Sequence, residues 1–231
     1  MKLALFDCDG TIVDSAAIIH ACMERTFDDF GIARPGLDHT KSIIGLTLDI
    51  AIAQMLSRPL DPEIAAMTAR YKEHFMLYRE AGGALEPVYD GLMDLIAGLA
   101  ARDDVILGVV TGKSRRGLDA ILAHHGLTSS FFTTRTADDC PSKPHPAMVL
   151  ECCAEAGVPP AQTFVIGDAV YDMQMAVSAG ASAIGVSWGY GPVDALKAAG
   201  ASRVVNHADE IAALFGSAGH PLGSVTAAHP V

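Results

Sequence analysis

Short apolar runs separated by longer amphipathic stretches are the dominant pattern of this chain. The clearest runs cover residues 2–6, 105–110, 164–166 and 183–186, and two weaker ones cover 130–135 and 203–206. Each clear run ends in polar or glycine residues, which predicts a buried β-strand with a polar carboxyl end.

Apolar residues at helical spacing fill most of the intervals between these strands. Several of the helical patterns stop at a glycine, which favours the left-handed conformation that follows a helix; these glycines are Gly126, Gly157, Gly180 and Gly200. Strands that alternate with helices imply right-handed crossovers and a parallel sheet. We therefore predict a doubly wound, Rossmann-like α/β core. Ligands bind beyond the carboxyl ends of the strands in such sheets, so the polar strand ends should meet in one crevice.

One long segment, residues 14–85, interrupts the alternation. Apolar residues at helical spacing occur three times in succession without a strand between them, over 19–30, 48–55 and 64–78. This pattern predicts an all-helical cap domain inserted after the first strand and lying over the crevice. The predicted division of the chain is an α/β core of residues 1–13 and 86–216, the cap domain of 14–85 and a tail of 217–231.

Length and charge narrow the function. The 231 residues suit one core with a modest insert, and 50% of them are hydrophobic. The formal net charge of -11 repels nucleic acid and anionic lipid, so neither is an expected partner. No run of 18 apolar residues occurs, and Asp7 follows the amino terminus too closely for a signal peptide. We expect a cytoplasmic protein that acts on a small molecule, either as a monomer or as a homodimer.

Five cysteines form an odd set without zinc-ligand spacing, and free buried thiols are the expected state. Cys8 lies between Asp7 and Asp9, where neighbouring carboxylates would raise the pKa of a thiol. We therefore do not assign Cys8 a nucleophilic role.

Two aspartates follow the first predicted strand. Asp7 and Asp9 are two residues apart, and the period of a strand turns both side chains to the same side. Gly10 permits a tight turn, and Thr11 is able to hold it by hydrogen bonds. Carboxylates this close repel each other, and a divalent cation is the simplest compensation.

Three further motifs follow the other strands or precede the helices. Asp168 ends a strand, and Asp172 lies one helical turn further on, so both carboxylates are able to point into the same crevice. Thr111 and Gly112 offer a hydroxyl and a backbone N–H beside a helix start. Lys143 precedes a helix and is followed by a proline.

In this order and placement the motifs resemble those of the haloacid dehalogenase superfamily of phosphotransferases. The matching segments are 7–11, Thr111, Lys143 and 167–172. The resemblance spans residues 1 to about 216, and phosphatases of the phosphoglycolate type are the most similar group.

The resemblance implies a phosphatase that depends on Mg²⁺ and acts on a small phosphate monoester. Asp7 would be the nucleophile, which we expect to be ionised at neutral pH without help, and Asp9 the acid and base. Magnesium would be held by Asp7, the backbone carbonyl of Asp9 and Asp168. Asp172 would act through water or by orienting Lys143.

The same resemblance assigns the remaining site residues to the phosphate and the substrate. Lys143, Thr111 and the N–H of Gly112 would bind the phosphate oxygens. Substrate choice would lie in a cap loop, for which the segment 41–47 is the candidate, with Gly45 allowing close approach.

Two other functions stay open at this point. Sugar phosphomutases of this superfamily carry a histidine ten residues after the second aspartate, whereas here that position is Ile19 and the histidine is His20. A phosphate-binding module without catalytic activity is the other alternative, although Asp7, Asp9, Lys143 and Asp168 are all present. The sequence leaves the physiological substrate open.

Overall fold

The computed structural model describes residues 1–82 and 86–216, which contain one six-stranded sheet and ten α-helices. The strands are β1 (Lys2–Phe6), β2 (Val105–Val110), β3 (Thr133–Arg135), β4 (Thr163–Gly167), β5 (Ser182–Val186) and β6 (Arg203–Val205). The helices are α1 (Ala16–Asp29), α2 (Leu37–Lys41), α3 (Leu48–Met55), α4 (Pro62–Glu80), α5 (Leu92–Ala100), α6 (Arg115–His124), α7 (Ala147–Ala156), α8 (Val170–Ala179), α9 (Val193–Ala198) and α10 (Ala208–Leu214).

The sheet is parallel throughout, with the strand order β3-β2-β1-β4-β5-β6. The strand order changes direction at β1, because β2 and β3 lie on one side of it and β4 to β6 lie on the other. The predicted doubly wound α/β fold is therefore confirmed, including both weaker strand candidates. Phe6 at the end of β1 pairs with Val109 on one side and Ile166 on the other, so the residues that follow these three strands lie close together.

Alternate residues of β1 belong to two cores, as the period of a strand requires. Ala4 and Phe6 pack with α5, α6 and α10 on one face of the sheet. Leu3 and Leu5 pack with α7, α8 and α9 on the other face. All four side chains are buried, so β1 is held from both sides and its carboxyl end has a well-defined position.

Four helices, α1 to α4, lie between β1 and α5 in the chain, and we call the part that they span, 16–80, the helical insert. Helices α1, α3 and α4 share a third hydrophobic core. The three predicted helices are present as α1, α3 and α4. The structure adds α2, a helix of five residues between the first two predicted helices. The limits 14–85 of a separate cap domain stay a prediction, and the predicted tail, 217–231, lies outside the described residues.

Two further expectations concern the cysteines and the membrane. All five cysteines are free and buried, as predicted. Among residues 1–82 and 86–216, no helix combines the length and the apolar character that a bilayer crossing needs.

Candidate active site

The first strand delivers Asp7 to the centre of the sheet edge. Its backbone N–H donates to the carbonyl of Ile166 at 2.8 Å, which ties Asp7 to the neighbouring strand β4. The chain then turns at Gly10, whose φ of +85° favours glycine. A Cβ at Gly10 would overlap the carboxylate of Asp168, so the turn also depends on the missing side chain.

Three carboxylates meet at this edge. Asp7 follows β1, Asp168 follows β4, and Asp172 lies in the first turn of α8. One oxygen from each of these residues lies within 4.8 Å of the others, and all three residues are buried. The predicted convergence of these distant segments is therefore observed.

A single lysine lies among these carboxylates. Lys143 is 1% exposed, and its Nζ lies 2.6 Å from Asp172 Oδ1 and 2.8 Å from Asp7 Oδ1. Burial alone would lower the pKa of Lys143, but Asp172 and Asp7 raise it above its usual value. Three carboxylates and one ammonium leave a formal charge of -2 in this acidic cluster, which we define as Asp7, Asp168, Asp172 and Lys143.

The ionisation of the nucleophile candidate depends mainly on its burial. Burial raises the pKa of Asp7 to about 7, and the nearby Lys143 offsets only part of that effect. Burial, with Asp7 next in importance, also raises the pKa of Asp168 well above its usual value. The expectation that Asp7 ionises without help at neutral pH is therefore wrong for the cation-free site, because the sequence alone does not show that the carboxylates are fully buried.

Hydrogen bonds fix the outer carboxylates but not the nucleophile candidate. Asp168 accepts from the hydroxyl of Thr11 at 3.0 Å and from the N–H of Tyr190 at 2.8 Å. Asp172 accepts from the N–H of Ala169 at 3.0 Å. Apart from the 2.8 Å ion pair between Asp7 Oδ1 and Lys143, neither buried oxygen of Asp7 has a hydrogen-bond partner among the described residues.

This arrangement fits a hard divalent cation. Carboxylate oxygens are the ligands that Mg²⁺ prefers, and the ion usually takes one or two protein carboxylates along with water and phosphate oxygens. The unpaired oxygen Asp7 Oδ2 and the formal charge of -2 are the features that such an ion would satisfy.

The carboxylate of Asp9 lies outside the acidic cluster. It contacts the ammonium of Lys113, which is 2.7 Å from Oδ1 and 3.0 Å from Oδ2. Lys113 was not predicted as a site residue. The only signal in the sequence was its position two residues after Thr111, and a lysine there is typical of a solvated surface.

The phosphate-binding candidates Thr111 and Gly112 lie at the end of β2, where the helical insert contacts the core. Thr111 is buried, and its Oγ1 accepts from the backbone N–H of Lys113 at 3.1 Å. A Cβ at Gly112 would overlap the carbonyl oxygen of Gly45, so the predicted close approach of the Gly45 segment occurs here. The N–H of Thr47 in the insert also donates to Ser142 Oγ at 3.0 Å, next to Lys143.

A cavity of about 360 Å³ opens beside this contact, between the insert and the core. Its lining includes Lys41 and Ser42 from the insert and Asp168 and Tyr190 from the core. A larger cavity of about 580 Å³, near Trp188, is lined by none of the predicted site residues, whereas the smaller one is lined by Asp168 and is therefore the better candidate for the substrate.

The histidine considered for a mutase lies within the insert. His20 Nδ1 is 2.9 Å from Thr40 Oγ1, and its Nε2 is 3.9 Å from Glu24 Oε2. These contacts account for His20 as part of the packing of α1 against α2.

Comparisons with known proteins agree with this geometry. The family model described as haloacid dehalogenase-like hydrolase matches residues 4–186. A protein of Dickeya dadantii named "Probable phosphatase IndB" is 32% identical over 212 residues, covering 90% of this chain and 91% of that protein. The phosphoglycolate phosphatase of Pseudomonas putida is 27% identical over 230 residues, covering 98% of this chain and 83% of that enzyme.

A solved structure shows the same fold. A hydrolase of the haloacid dehalogenase-like family from Streptococcus pneumoniae superposes with a TM-score of 0.78 at 21% identity, covering 93% of this chain and 98% of that one. Together with the family match, these similarities show that the chain belongs to the haloacid dehalogenase-like hydrolase family.

Proposed function

We propose that this chain, a phosphatase of the haloacid dehalogenase-like hydrolase family, uses Mg²⁺ to hydrolyse small phosphate monoesters through an aspartyl-phosphate on Asp7. The observation that carries the proposal is the acidic cluster, in which Lys143 contacts two of the three buried carboxylates and is the sole polar partner of Asp7 among the described side chains. Such a site combines a buried, ionisable nucleophile with a deficit of positive charge.

Asp7, the backbone carbonyl of Asp9 and Asp168 would hold the magnesium ion, with Asp172 orienting Lys143 through the 2.6 Å contact. When bound, the ion supplies positive charge that favours the ionised form of Asp7 and offsets the charge of the phosphate. Asp7 would thus be both a ligand of the ion and the group whose ionisation the ion favours.

In the first step an oxygen of Asp7 attacks phosphorus, and the bond from phosphorus to the leaving oxygen breaks. Asp9 must be protonated at this stage and gives that proton to the leaving oxygen, so the substrate leaves as an alcohol and Asp7 becomes an acyl phosphate. Lys143, Thr111 and the N–H of Gly112 bind the other phosphate oxygens as charge shifts onto them.

In the second step a water molecule attacks the same phosphorus, and Asp9 takes the proton that the water loses. The bond from phosphorus to Asp7 breaks, which releases inorganic phosphate and restores both carboxyl groups to their starting state. One acid and base group therefore serves both half-reactions.

The helical insert limits the substrate to small monoesters. Gly45 and Thr47 of the insert contact the core beside Gly112 and Ser142, and we assign the leaving group to the cavity between insert and core. Phosphoglycolate is one candidate substrate, because a relative that aligns with 98% of this chain is named phosphoglycolate phosphatase. Sugar phosphates and nucleoside monophosphates are others.

A mutase is a weaker candidate. The histidine that it would need is engaged with Thr40, and no other contact of His20 links it to Asp9 among the described residues. A monomer or a homodimer in the cytoplasm, acting on a small phosphorylated substrate, is the setting that we propose.

The test is phosphate release from an aryl phosphate and a panel of alkyl monoesters, with the wild type and with Asp7→Asn. Loss of the nucleophile should lower kcat by about 10⁴-fold or more. Asp119→Asn is a matched control, because Asp119 is an exposed carboxylate on α6 with its side chain 62% exposed.

Two results would contradict the proposal. Wild-type protein that releases no phosphate from any monoester with Mg²⁺ would favour the binding module. Activity of Asp7→Asn close to that of Asp119→Asn would show that another group attacks phosphorus. Mass measurement of acid-quenched enzyme should detect the phosphorylated chain in the wild type only.

A further inference from the structure

Lys113 holds both oxygens of the proposed acid and base, Asp9, at 2.7 and 3.0 Å. The side chain of Lys113 is 9% exposed and that of Asp9 is 10% exposed, so the pair is largely shielded from water. A nearly buried carboxylate with a cation on both oxygens has little freedom to rotate. The contact therefore determines where the Asp9 carboxylate lies.

Lys113 is itself held by a second pair of charges. Glu86 Oε1 lies 3.8 Å from Lys113 Nζ, and Glu86 Oε2 accepts from Arg79 at 2.7 Å. The ring of Phe75 lies 5.5 Å from the Lys113 ammonium and 5.4 Å from the Arg79 guanidinium, where a cation and an aromatic face attract. We call Asp9, Lys113, Glu86 and Arg79 the balanced cluster, because its two acids and two bases sum to zero formal charge.

The contacts of Lys113 separate it from phosphate binding. Its ion pairs within the described residues are with Asp9 and Glu86, and none is with the acidic cluster. Lys143 already provides the cation beside Asp7. Lys113 is thus placed to act on Asp9.

We propose that Lys113 is a positioning residue, which holds the Asp9 carboxylate where that group exchanges protons with the leaving oxygen and with the attacking water. The inference rests on the proposed function, because the role of Asp9 comes from it. Since Glu86 and Arg79 complete the charge balance, Lys113 orients Asp9 within a neutral cluster.

The same contacts link the position of Asp9 to the helical insert. Arg79 lies in the last turn of α4, and Glu86 lies where the chain returns to the core. The insert therefore contributes Arg79 to a chain of contacts that runs through Glu86 and Lys113 to Asp9. A loosely seated insert would leave the acid and base group less well placed.

A double-mutant cycle with Asp9→Asn and Lys113→Met tests this inference. The readout is kcat/KM, which reports the steps up to formation of the phosphorylated enzyme, for 4-nitrophenyl phosphate and for the best alkyl monoester of the panel. An alkyl leaving group needs a proton from Asp9, whereas 4-nitrophenolate leaves readily without one. If Lys113 acts by positioning Asp9, its removal should cause a loss that depends on the leaving group.

We expect Lys113→Met to lower kcat/KM about 100-fold for the alkyl ester and less than about 10-fold for the aryl ester, with KM nearly unchanged. In the Asp9→Asn background the same substitution should change kcat/KM by less than about threefold. Lys113→Arg should restore part of the loss. Lys197→Met, which removes an exposed lysine, should match the wild type.

Equal losses for both esters, or losses that multiply across the two backgrounds, would overturn the inference, because Lys113 would then act on the substrate or on the fold. If Lys113→Met does not fold, Glu86→Gln carries the test. That variant keeps the contact between Lys113 and Asp9 and should show a smaller loss with the same dependence on leaving group. An increase in KM alone would overturn it.

Failure of the proposed function looks different from failure of this inference. The first appears in the wild type as an absence of phosphate release. The second appears in active enzyme as losses that are independent of Asp9.

Discussion

The acidic cluster and the balanced cluster flank the same strand end, yet their charges are arranged in opposite ways. In the acidic cluster one lysine faces three carboxylates, which leaves two negative charges uncompensated. In the balanced cluster Lys113 and Arg79 match Asp9 and Glu86. Both lie in surroundings that exclude most water, so the difference is one of composition and not of burial.

The net charge of each cluster indicates its role. Buried charge that lacks a partner costs several kcal/mol per ion, so it persists where a ligand supplies the missing charge. The acidic cluster has the deficit that a divalent cation would remove. The balanced cluster has no such deficit, and its remaining effect is to fix the position of its members.

The largest expected difference between the clusters is in the free energy of unfolding after removal of a lysine. Lys143→Met would leave three buried carboxylates with no cation, and we expect it to lower the free energy of unfolding of the metal-free protein by about 3–5 kcal/mol. Lys113→Met should cost less, because Arg79 still compensates Glu86. Denaturant titration with EDTA measures both, with Lys197→Met as the exposed control.

The comparison would fail if Lys113→Met cost as much as Lys143→Met. The stability of the protein would then depend equally on both lysines. The charge deficit of the acidic cluster would make no difference to the free energy of unfolding.

The metal-free protein should become less stable as the pH rises from about 4 to 7. The unfolded chain gives up the Asp7 proton near pH 3.8, whereas burial raises the pKa of Asp7 in the folded protein to about 7. Between these values the folded state binds more protons than the unfolded chain, so stability must fall as the pH rises, by about 1.4 kcal/mol per pH unit for one such group. The raised pKa of Asp168 acts in the same direction.

Thermal midpoints at pH 5 and pH 7 with EDTA measure this slope, and Mg²⁺ should reduce it by favouring the ionised carboxylates. Asp7→Asn removes one titrating group and should flatten the slope in EDTA. Lys143 does not contribute, because its pKa is raised and its charge is constant over this range. Identical slopes for the wild type and Asp7→Asn would show that other groups dominate.

The acidic cluster could be predicted from sequence because each member lies beside a strand end or a helix start. Asp7 and Asp168 follow apolar runs that predict buried strands, and parallel strands bring such residues to one edge. Burial could not be predicted, since it depends on how segments that are distant in sequence pack around the strand end. Burial raises the pKa of Asp7 to about 7 and overturned the expectation of an independently ionised nucleophile.

The balanced cluster was not predictable in the same way. Lys113, Glu86 and Arg79 come from the loop after β2, the return to the core and the end of α4, and no local pattern pairs them.

Short helices were missed for a related reason. The five residues of α2 and the seven of α10 are too few for the helical period to show, so tertiary packing stabilises them.

The smallest expected effect concerns a hydrogen bond that supports the acidic cluster. Thr11 donates from its hydroxyl to Asp168 at 3.0 Å, and both side chains are buried. Thr11→Val keeps the shape but removes the donor, which should weaken Mg²⁺ binding by about 10-fold, the lower end of the usual effect of such supporting groups.

Thr26→Val is the matched control for this change, because Thr26 is also fully buried and donates to the carbonyl of Cys22 within the insert at 2.8 Å. Calorimetric titration of Mg²⁺ into each variant separates the two sites. If only Thr11→Val weakens binding, the metal depends on the orientation of Asp168. Equal affinities for the two variants would mean that Asp168 keeps its place without Thr11, through the N–H of Tyr190, and that the charge deficit alone determines the affinity of the acidic cluster.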